Sequence, residues 1–229
     1  MTQSFSPCLD ILPPPQRRLW QELAEVPREF ILYGGTAIAL YLGHRPSVDF
    51  DFFGDRDFDP DQLINSIPFL ANGQVIQKAK NTLTSLVDRD GPVQVSFFGV
   101  PGLPRLSEPV EILENGIRMA SLLDLAGMKA SVVQKRAEAK DYIDIDTLIT
   151  AGAVDLPTGL AAGQALYGRS FNPQITLKAL SYFEDGDLKR LPEEVKNRLV
   201  MAARAVNLDR LPTIGGDWRQ IGQDTERRR

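Results

Sequence analysis

The sequence predicts an α/β (α+β) chain, with a small mixed sheet and its helices followed by a mainly helical C-terminal domain. Three observations carry this. Ser47 to Phe53, SVDFDFF, alternates with period two, the pattern of a strand with one buried face. Three further strand-like segments follow between Gly73 and Phe98. A Pro/Gly cluster over Gly99 to Pro109 then gives way to residues with helical spacing. These signals place a first domain over 16–108 and a helical domain over 109–229.

The elements follow in order. Pro13-Pro14-Pro15 imposes an extended conformation, and a helix then carries Leu19, Trp20, Leu23 and Val26 up to Pro27. Phe30 to Tyr33 reads as a strand entering a tight Gly34-Gly35 turn. Thr36 to Leu42 reads as a short buried helix stopped by Gly43. On the SVDFDFF strand, Val48, Phe50 and Phe52 share the core face, and Asp49, Asp51 and Phe53 share the other. Asp59 and Pro60 open a helix over Asp57 to Pro68. Gly73 to Lys80, Thr82 to Val87 and Pro92 to Phe98 are strands, the last two joined by a hairpin at Asp88-Arg89-Asp90-Gly91. Beyond the Pro/Gly cluster, Ser121 caps a helix through Leu122, Leu125 and Met128. Helical spacing continues over Lys140 to Thr150, and Pro157, Pro173 and Pro192 start three more helices. The second of these carries Leu177, Leu180 and Tyr182, and the last carries Val195, Leu199 and Val206.

Composition narrows the function classes. With 43% hydrophobic and 24% charged residues, the 229-residue chain can bury a substantial core, so global disorder is set aside. No apolar run is long enough for a membrane span, and the N-terminus lacks a basic stretch followed by an apolar one, so a cytoplasmic protein without a membrane partner is expected. The single cysteine, Cys8, rules out an internal disulfide, and the single histidine, His44, rules out a multi-histidine zinc site. Metal chemistry must therefore use oxygen ligands, which favours Mg²⁺ or Mn²⁺. A formal net charge of -4 argues against broad nucleic-acid binding. Local basic stretches remain at 129–140 and at Arg227 to Arg229, the second expected to be a solvated terminus.

Two features point to chemistry. Asp49 and Asp51, at i and i+2 on one strand, project from the same face, where a divalent cation would neutralise both. Glycines entering a helix at Gly34-Gly35 let backbone amides approach a phosphate, and Thr36 has a hydroxyl to offer the same oxyanion. A phosphate cradle and a metal-binding carboxylate pair on the next strand are together what phosphoryl chemistry requires. Arg45 is expected to orient Asp49 or Asp51 or to reach a phosphate. His44 is expected to be structural.

The segment YGGTAIALYLGHRPSVDFDFF resembles the signature of polymerase-beta-like nucleotidyltransferases, and more narrowly the toxin-like AbiEii/AbiGii type, with its GGT, His-Arg-x-Ser and Asp-x-Asp. MKASVVQKRAEAKDYIDIDTLI is similar to the second block of that type. The resemblance covers residues 30–150. It implies that Gly34, Gly35 and Thr36 sit at the nucleotide's triphosphate, that Asp49 and Asp51 bind the metal, and that Lys129 contacts phosphate. Arg136, Lys140, Asp141 and Asp144 would complete the second block, with Lys129 and Asp144 in the chemistry and Arg136 and Lys140 toward the nucleotide. By spacing, Arg136 and Lys140 would form a stripe on the same helix as Lys129, facing either phosphate or water. Asp141 and Asp144 are open as ligands, as a general base or as ion-pair partners. One departure stands out. The strand position where such enzymes carry a third carboxylate falls on Gln94 and Ser96, which cannot act as bases near neutral pH; Asp88 or Asp90 of the hairpin or the second-block aspartates would substitute, or the base is absent.

The function implied is metal-dependent transfer of an NMP from an NTP to a hydroxyl acceptor, RNA or protein, by a toxin with a cognate antitoxin. The alternatives are a nucleotide-binding interaction module that has lost catalysis and an enzyme that nucleotidylates a small molecule such as an antibiotic.

Overall fold

The computed structural model describes residues 5–215, so the basic tail at Arg227 to Arg229 lies outside the described residues. The chain forms two units. One comprises residues 5–103 and 109–120, and the other residues 104–108 and 121–215. No described helix is long and apolar enough to cross a membrane.

The first unit is built on a mixed sheet. In chain order its strands are β1 (Ile31–Tyr33), β2 (Asp49–Gly54), β3 (Gln74–Ala79), β4 (Thr82–Asp88), β5 (Pro92–Gly99), β6 (Val110–Glu111) and β7 (Arg118–Met119). Across the sheet they run β3-β4-β5-β2-β1-β7-β6. Central β2 is parallel to β5 and antiparallel to β1. As the alternation predicts, Phe50 and Phe52 are fully buried. Phe52 stacks on Phe97 at 5.3 Å, and Phe30 meets Phe97 edge-on at 5.1 Å. Val48 departs from that pattern and is 49% exposed. It precedes the strand, and its carbonyl accepts a hydrogen bond from Gln16 Nε2 at 3.0 Å.

Three short helices belong to this unit: α1 (Pro14–Leu19), α2 (Gly34–Leu42) and α3 (Pro60–Ser66). The start of α1 corrects the extended reading of the proline run. Proline's fixed φ suits a first helical turn, whose amides have no partner within the helix. The helix is also shorter than its apolar spacing suggests, since Glu22–Glu25 forms a separate 3-10 turn. Gly43 ends α2 with φ +64°, its N–H donating to the Ala39 carbonyl at 2.8 Å. Asp59 caps α3 by accepting from the Asp61 amide at 2.8 Å. At the β4–β5 hairpin, Asp90 has φ +55° and the Gly91 amide donates to Asp88 Oδ1 at 2.9 Å.

The boundary between the units differs from the sequence reading. Residues 109–120 fold with the sheet, where β6 and β7 pair with each other and β7 runs parallel to β1. Strands this short show no alternation to read.

The second unit is helical: α4 (Leu122–Val132), α5 (Ala139–Thr150), α6 (Leu156–Tyr167), α7 (Pro173–Ala179) and α8 (Glu193–Ala205). Ser121, Asp155 and Asn172 cap α4, α6 and α7 through bonds from the amides of Asp124, Thr158 and Gln174. Tyr142, Leu160, Leu180 and Leu199 are central to its core. Two expectations change. Arg136 does not share a helix with Lys140, because α4 ends at Val132 and α5 begins at Ala139. Tyr182 lies beyond the end of α7 and is 52% exposed.

Helices α4 and α6 approach closely at Gly127, where a Cβ would lie 2.8 Å from the Ala162 carbonyl carbon. Backbone cannot move aside as a flexible side chain can. Gly127→Val is therefore expected to destabilise the second unit by about 1–3 kcal/mol through overpacking. Urea unfolding would read this as a lower midpoint, and an unchanged midpoint would show that the helices part without cost.

Candidate active site

The site in the first unit grows from the turn between β1 and α2. Tyr33 ends β1 in extended conformation, and Gly34 follows with φ +77°. A Cβ on Gly34 would lie 3.2 Å from Asp51 Oδ2. Glycine is thus favoured twice, by the left-handed backbone and by the nearness of the carboxylate. The first turn of α2 carries no acidic residue of its own and Tyr33 supplies no side-chain cap, so the carboxylate near this positive helix end is that of Asp51. Gly35 is the second residue of this helix.

Thr36, 4% exposed, faces inward. Its hydroxyl donates to the Asp49 carbonyl, and Ser47 Oγ lies 2.7 Å from Thr36 Oγ1. Because the Thr36 proton goes to the carbonyl, Ser47 is the donor in the second bond. This relay ties the first turn of α2 to the beginning of β2. The proton that the sequence reading reserved for an anion is used here to place Asp49. Ser47 stands in the His-Arg-x-Ser stretch, so its signal was present in the sequence although no role was attached to it. Gln16 was missed altogether. It is 4% exposed, and its amide holds the Val48 carbonyl beside the same strand start.

Asp49 and Asp51 share the half-buried face of β2, opposite Phe50 and Phe52. Two residues of strand separate them by about 6.6 Å. The parallel register sets Gln94 beside Asp49 and Ser96 beside Asp51, with Thr84 of β4 next in the row. Tyr33 flanks Asp51 from β1. The two positions expected to be neutral are therefore the direct neighbours of the carboxylates. Asp88 is engaged by the Gly91 amide, and Asp90 lies 3.4 Å from Arg18. Arg45, in the connection between α2 and β2, donates from Nη1 to the Pro46 carbonyl at 3.1 Å.

Two carboxylates on one strand are a fitting donor set for a hard divalent cation. Among the described residues, no three His, Cys, Asp or Glu side chains gather as a fuller cage. Magnesium sites of this kind use one or two carboxylates and take their remaining oxygens from substrate phosphates and water. The Gly34 backbone beside Asp51 leaves no side chain in that corner.

The second block forms a separate cluster in the second unit. Lys129 is 5% exposed, and Asp141 and Asp144 are fully buried. The Lys129 ammonium lies 2.5 Å from Asp141 Oδ1 and 2.7 Å from Asp144 Oδ2. Lys129 is thus not an exposed helix lysine; it links α4 to two carboxylates of α5. Arg136 adds bonds to Asp141 from Nε at 2.8 Å and from Nη2 at 3.2 Å, and approaches Glu138 at 3.3 Å. Lys140 stands apart from the cluster and pairs with Glu138 at 3.0 Å. Burial pushes the Asp141 carboxyl up, but the Arg136 hydrogen bond and the Lys129 charge outweigh it and hold the carboxyl below its ordinary range. Asp124 behaves in the opposite way. Its burial prevails over the bonds from Ser121 and the Leu106 and Ser107 amides, and its carboxyl is raised.

A depressed folded value means that Asp141 stabilises the fold above its unfolded pKa, and that this contribution is lost as pH falls through the lower folded value. Lys129→Met removes the shared cation and leaves buried charge behind. The expected cost at pH 7 is about 3–5 kcal/mol. Without the Lys129 charge, the Asp141 carboxyl should rise toward its ordinary range and above as its burial is less offset, so the deficit should shrink between pH 7 and pH 5. Denaturant unfolding of both proteins at the two pH values checks this, and an equal deficit at both would refute it.

Residues 18–218 match the family described as nucleotidyl transferase AbiEii toxin, type IV TA system. An uncharacterised protein of Aquifex aeolicus (strain VF5) is 34% identical over 159 residues, covering 69% of this chain and 75% of that protein. The fold is similar to that of MenT4, a nucleotidyltransferase toxin from Mycobacterium tuberculosis H37Rv, with a TM-score of 0.57, 13% identity, and coverage of 83% of this chain and 82% of that one. It is also similar to a protein of H. pylori described as a nucleotidyltransferase, with a TM-score of 0.51, 20% identity, and coverage of 82% and 89%. The match spanning both motif blocks, together with the glycine turn set against the β2 carboxylates, makes this chain a nucleotidyltransferase of the AbiEii toxin family.

Proposed function

We propose that the chain moves an NMP from an NTP to a hydroxyl on an RNA or protein acceptor, with a divalent cation, Mg²⁺ or Mn²⁺, held by Asp49 and Asp51. The observation that carries this reading is the approach of the Gly34 backbone to the Asp51 carboxylate at the start of α2. It brings an anion-favouring helix terminus and a cation-favouring carboxylate to the same corner. The type IV toxin–antitoxin family implies an NTP donor and a cognate antitoxin.

In the reaction, the acceptor oxygen forms a bond to the α-phosphorus, the bond from that phosphorus to the β-phosphate oxygen breaks, and pyrophosphate leaves. A bound divalent cation would supply charge neutralisation at the phosphates. The chain's part is positional. Gly34 and Gly35 let the phosphates reach the amides of α2, and Thr36 with Ser47 fixes the strand that presents Asp49. Gln94 and Ser96, beside the two aspartates, are neutral at pH 7 and do not accept the acceptor's hydroxyl proton, which leaves to water. Lys129, Asp141 and Asp144 hold one another, which supports an orienting role; direct contact of Lys129 with phosphate, or proton transfer by Asp144, would require that cluster to open. Arg136 closes over Asp141 and Lys140 pairs with Glu138, so contact of either with the nucleotide would require it to leave its carboxylate.

The test is incubation with each labelled NTP, Mg²⁺ and cell extract, comparing wild type with Asp49→Ala/Asp51→Ala. Wild type is expected to label an acceptor, and the variant to label it about a thousandfold more slowly. NTP binding without labelling by wild type would favour the interaction-module reading. A labelled species of metabolite size would replace the macromolecular acceptor with a small one.

A further inference from the structure

The second unit contains a cleft lined wholly by its own residues. It has a volume of about 410 Å³ and lies among the α4–α5 connection, the side of α7 and the turn before Leu188. That volume is in the range of small-molecule sites. Val133, Ala179 and Leu188 supply apolar surface. Lys135 and Lys178 line it, both exposed and neither forming an ion pair with a described residue. Arg136 lines it too, but its guanidinium is engaged by Asp141 and Glu138. One carboxylate, Asp185, offsets part of the charge. Tyr182 offers a ring that is 52% exposed. Tyr142 is 2% exposed and its hydroxyl makes no hydrogen bond to a described residue. Burial, then the charges of Asp141 and Asp185, push that phenol up to about 12, so it remains a proton donor at neutral pH.

The wall is set by backbone constraints. Gly186 has φ +54°, and a Cβ there would fall 2.0 Å from the Ala137 carbonyl oxygen. The neighbouring Asp187 carboxylate accepts from the Ala139 amide at 2.6 Å. On the other side, Gln134 Nε2 donates to the Asn172 carbonyl at 3.0 Å and to Thr176 Oγ1 at 2.8 Å. The cleft is therefore held open by contacts within the unit.

Two ammonium groups without an ion-pair partner among the described residues, an exposed aromatic ring, an unused phenol donor and one acceptor carboxylate match the parts of a nucleotide. The ammonium groups suit a phosphate, the ring suits a base, and the carboxylate suits ribose hydroxyls. We propose that this cleft is a second nucleotide site, one that binds a free mononucleotide without a metal ion. The site goes beyond the transfer reaction and does not depend on the Asp49/Asp51 reading.

Equilibrium dialysis of labelled AMP against the full chain in EDTA tests it. Wild type and Asp49→Ala/Asp51→Ala are both expected to bind AMP, with the same affinity. Lys135→Ala/Lys178→Ala should weaken binding at least about tenfold, and Tyr182→Ala about tenfold. Lys135, Lys178 and Tyr182 are all exposed, cleft-lining positions, and thermal melting by circular dichroism verifies that the variants are folded. The proposal is overturned if wild type binds no AMP in EDTA, if the lysine variant binds as wild type does, or if the Asp49→Ala/Asp51→Ala variant loses the binding. Binding of a single-stranded oligoribonucleotide, with none of AMP, would assign the cleft to a strand and also overturn it.

Discussion

The approach of the Gly34 backbone to the Asp51 carboxylate constrains the whole first unit. It exists because β1 ends at Tyr33, the residue paired with Asp51, so the chain turns into α2 one residue past that pair. A slip of one residue between β1 and β2 would send both aspartates to the aromatic face. The register is fixed from several sides: Phe50 and Phe52 must be buried, β5 pairs along the full length of β2, and the Thr36–Ser47 relay anchors the strand's first residue. The site is a consequence of how the central strand is packed.

The second unit handles charge differently. In the first, two carboxylates sit on a half-buried face with neutral neighbours on β5. In the second, two carboxylates are wholly buried and matched at once by Lys129, with Arg136 closing over Asp141. Buried ions tolerate such an arrangement only when each is paired and hydrogen-bonded, so the cluster also fixes α4 against α5. The same acidic residue type therefore serves two ends. One pair is kept near water and neutral partners, and the other is removed from water and compensated internally.

Much of this was legible in the sequence, and what was missed has physical causes. Period-two alternation identified β2 and its two faces because one face is filled by phenylalanine. Proline and cap residues marked the starts of α3, α4, α6 and α7, since local hydrogen bonds decide them. The glycine pair and the carboxylates were visible as a spacing, while their contact needed the β1–β2 register. The two-residue strands β6 and β7 carry no pattern, as pairing alone creates them. The misplacement of Arg136 and Lys140 on one helix came from reading basic residues at i and i+4 as continuous, although α4 had already ended at Val132. Gln16 went unassigned because it acts through the Val48 carbonyl, and Ser47 because it acts through the Thr36 hydroxyl eleven residues away, contacts that a pattern of side chains does not reveal.

The interleaving of the two units has a consequence for how such a chain can change over time. The polypeptide passes from the sheet unit to the helical one after Leu103, returns at Pro109 and leaves again after Ala120. The last return supplies β7, the second neighbour of β1. A single recombination event within this stretch would hand the descendant a sheet without its outer pair, or a helical half without its leading segment. The halves are thus not interchangeable cassettes. Variation is channelled into substitution inside each unit, and β1, which sets Tyr33 beside Asp51, must keep its pairing with β7 from the segment that returns at Pro109.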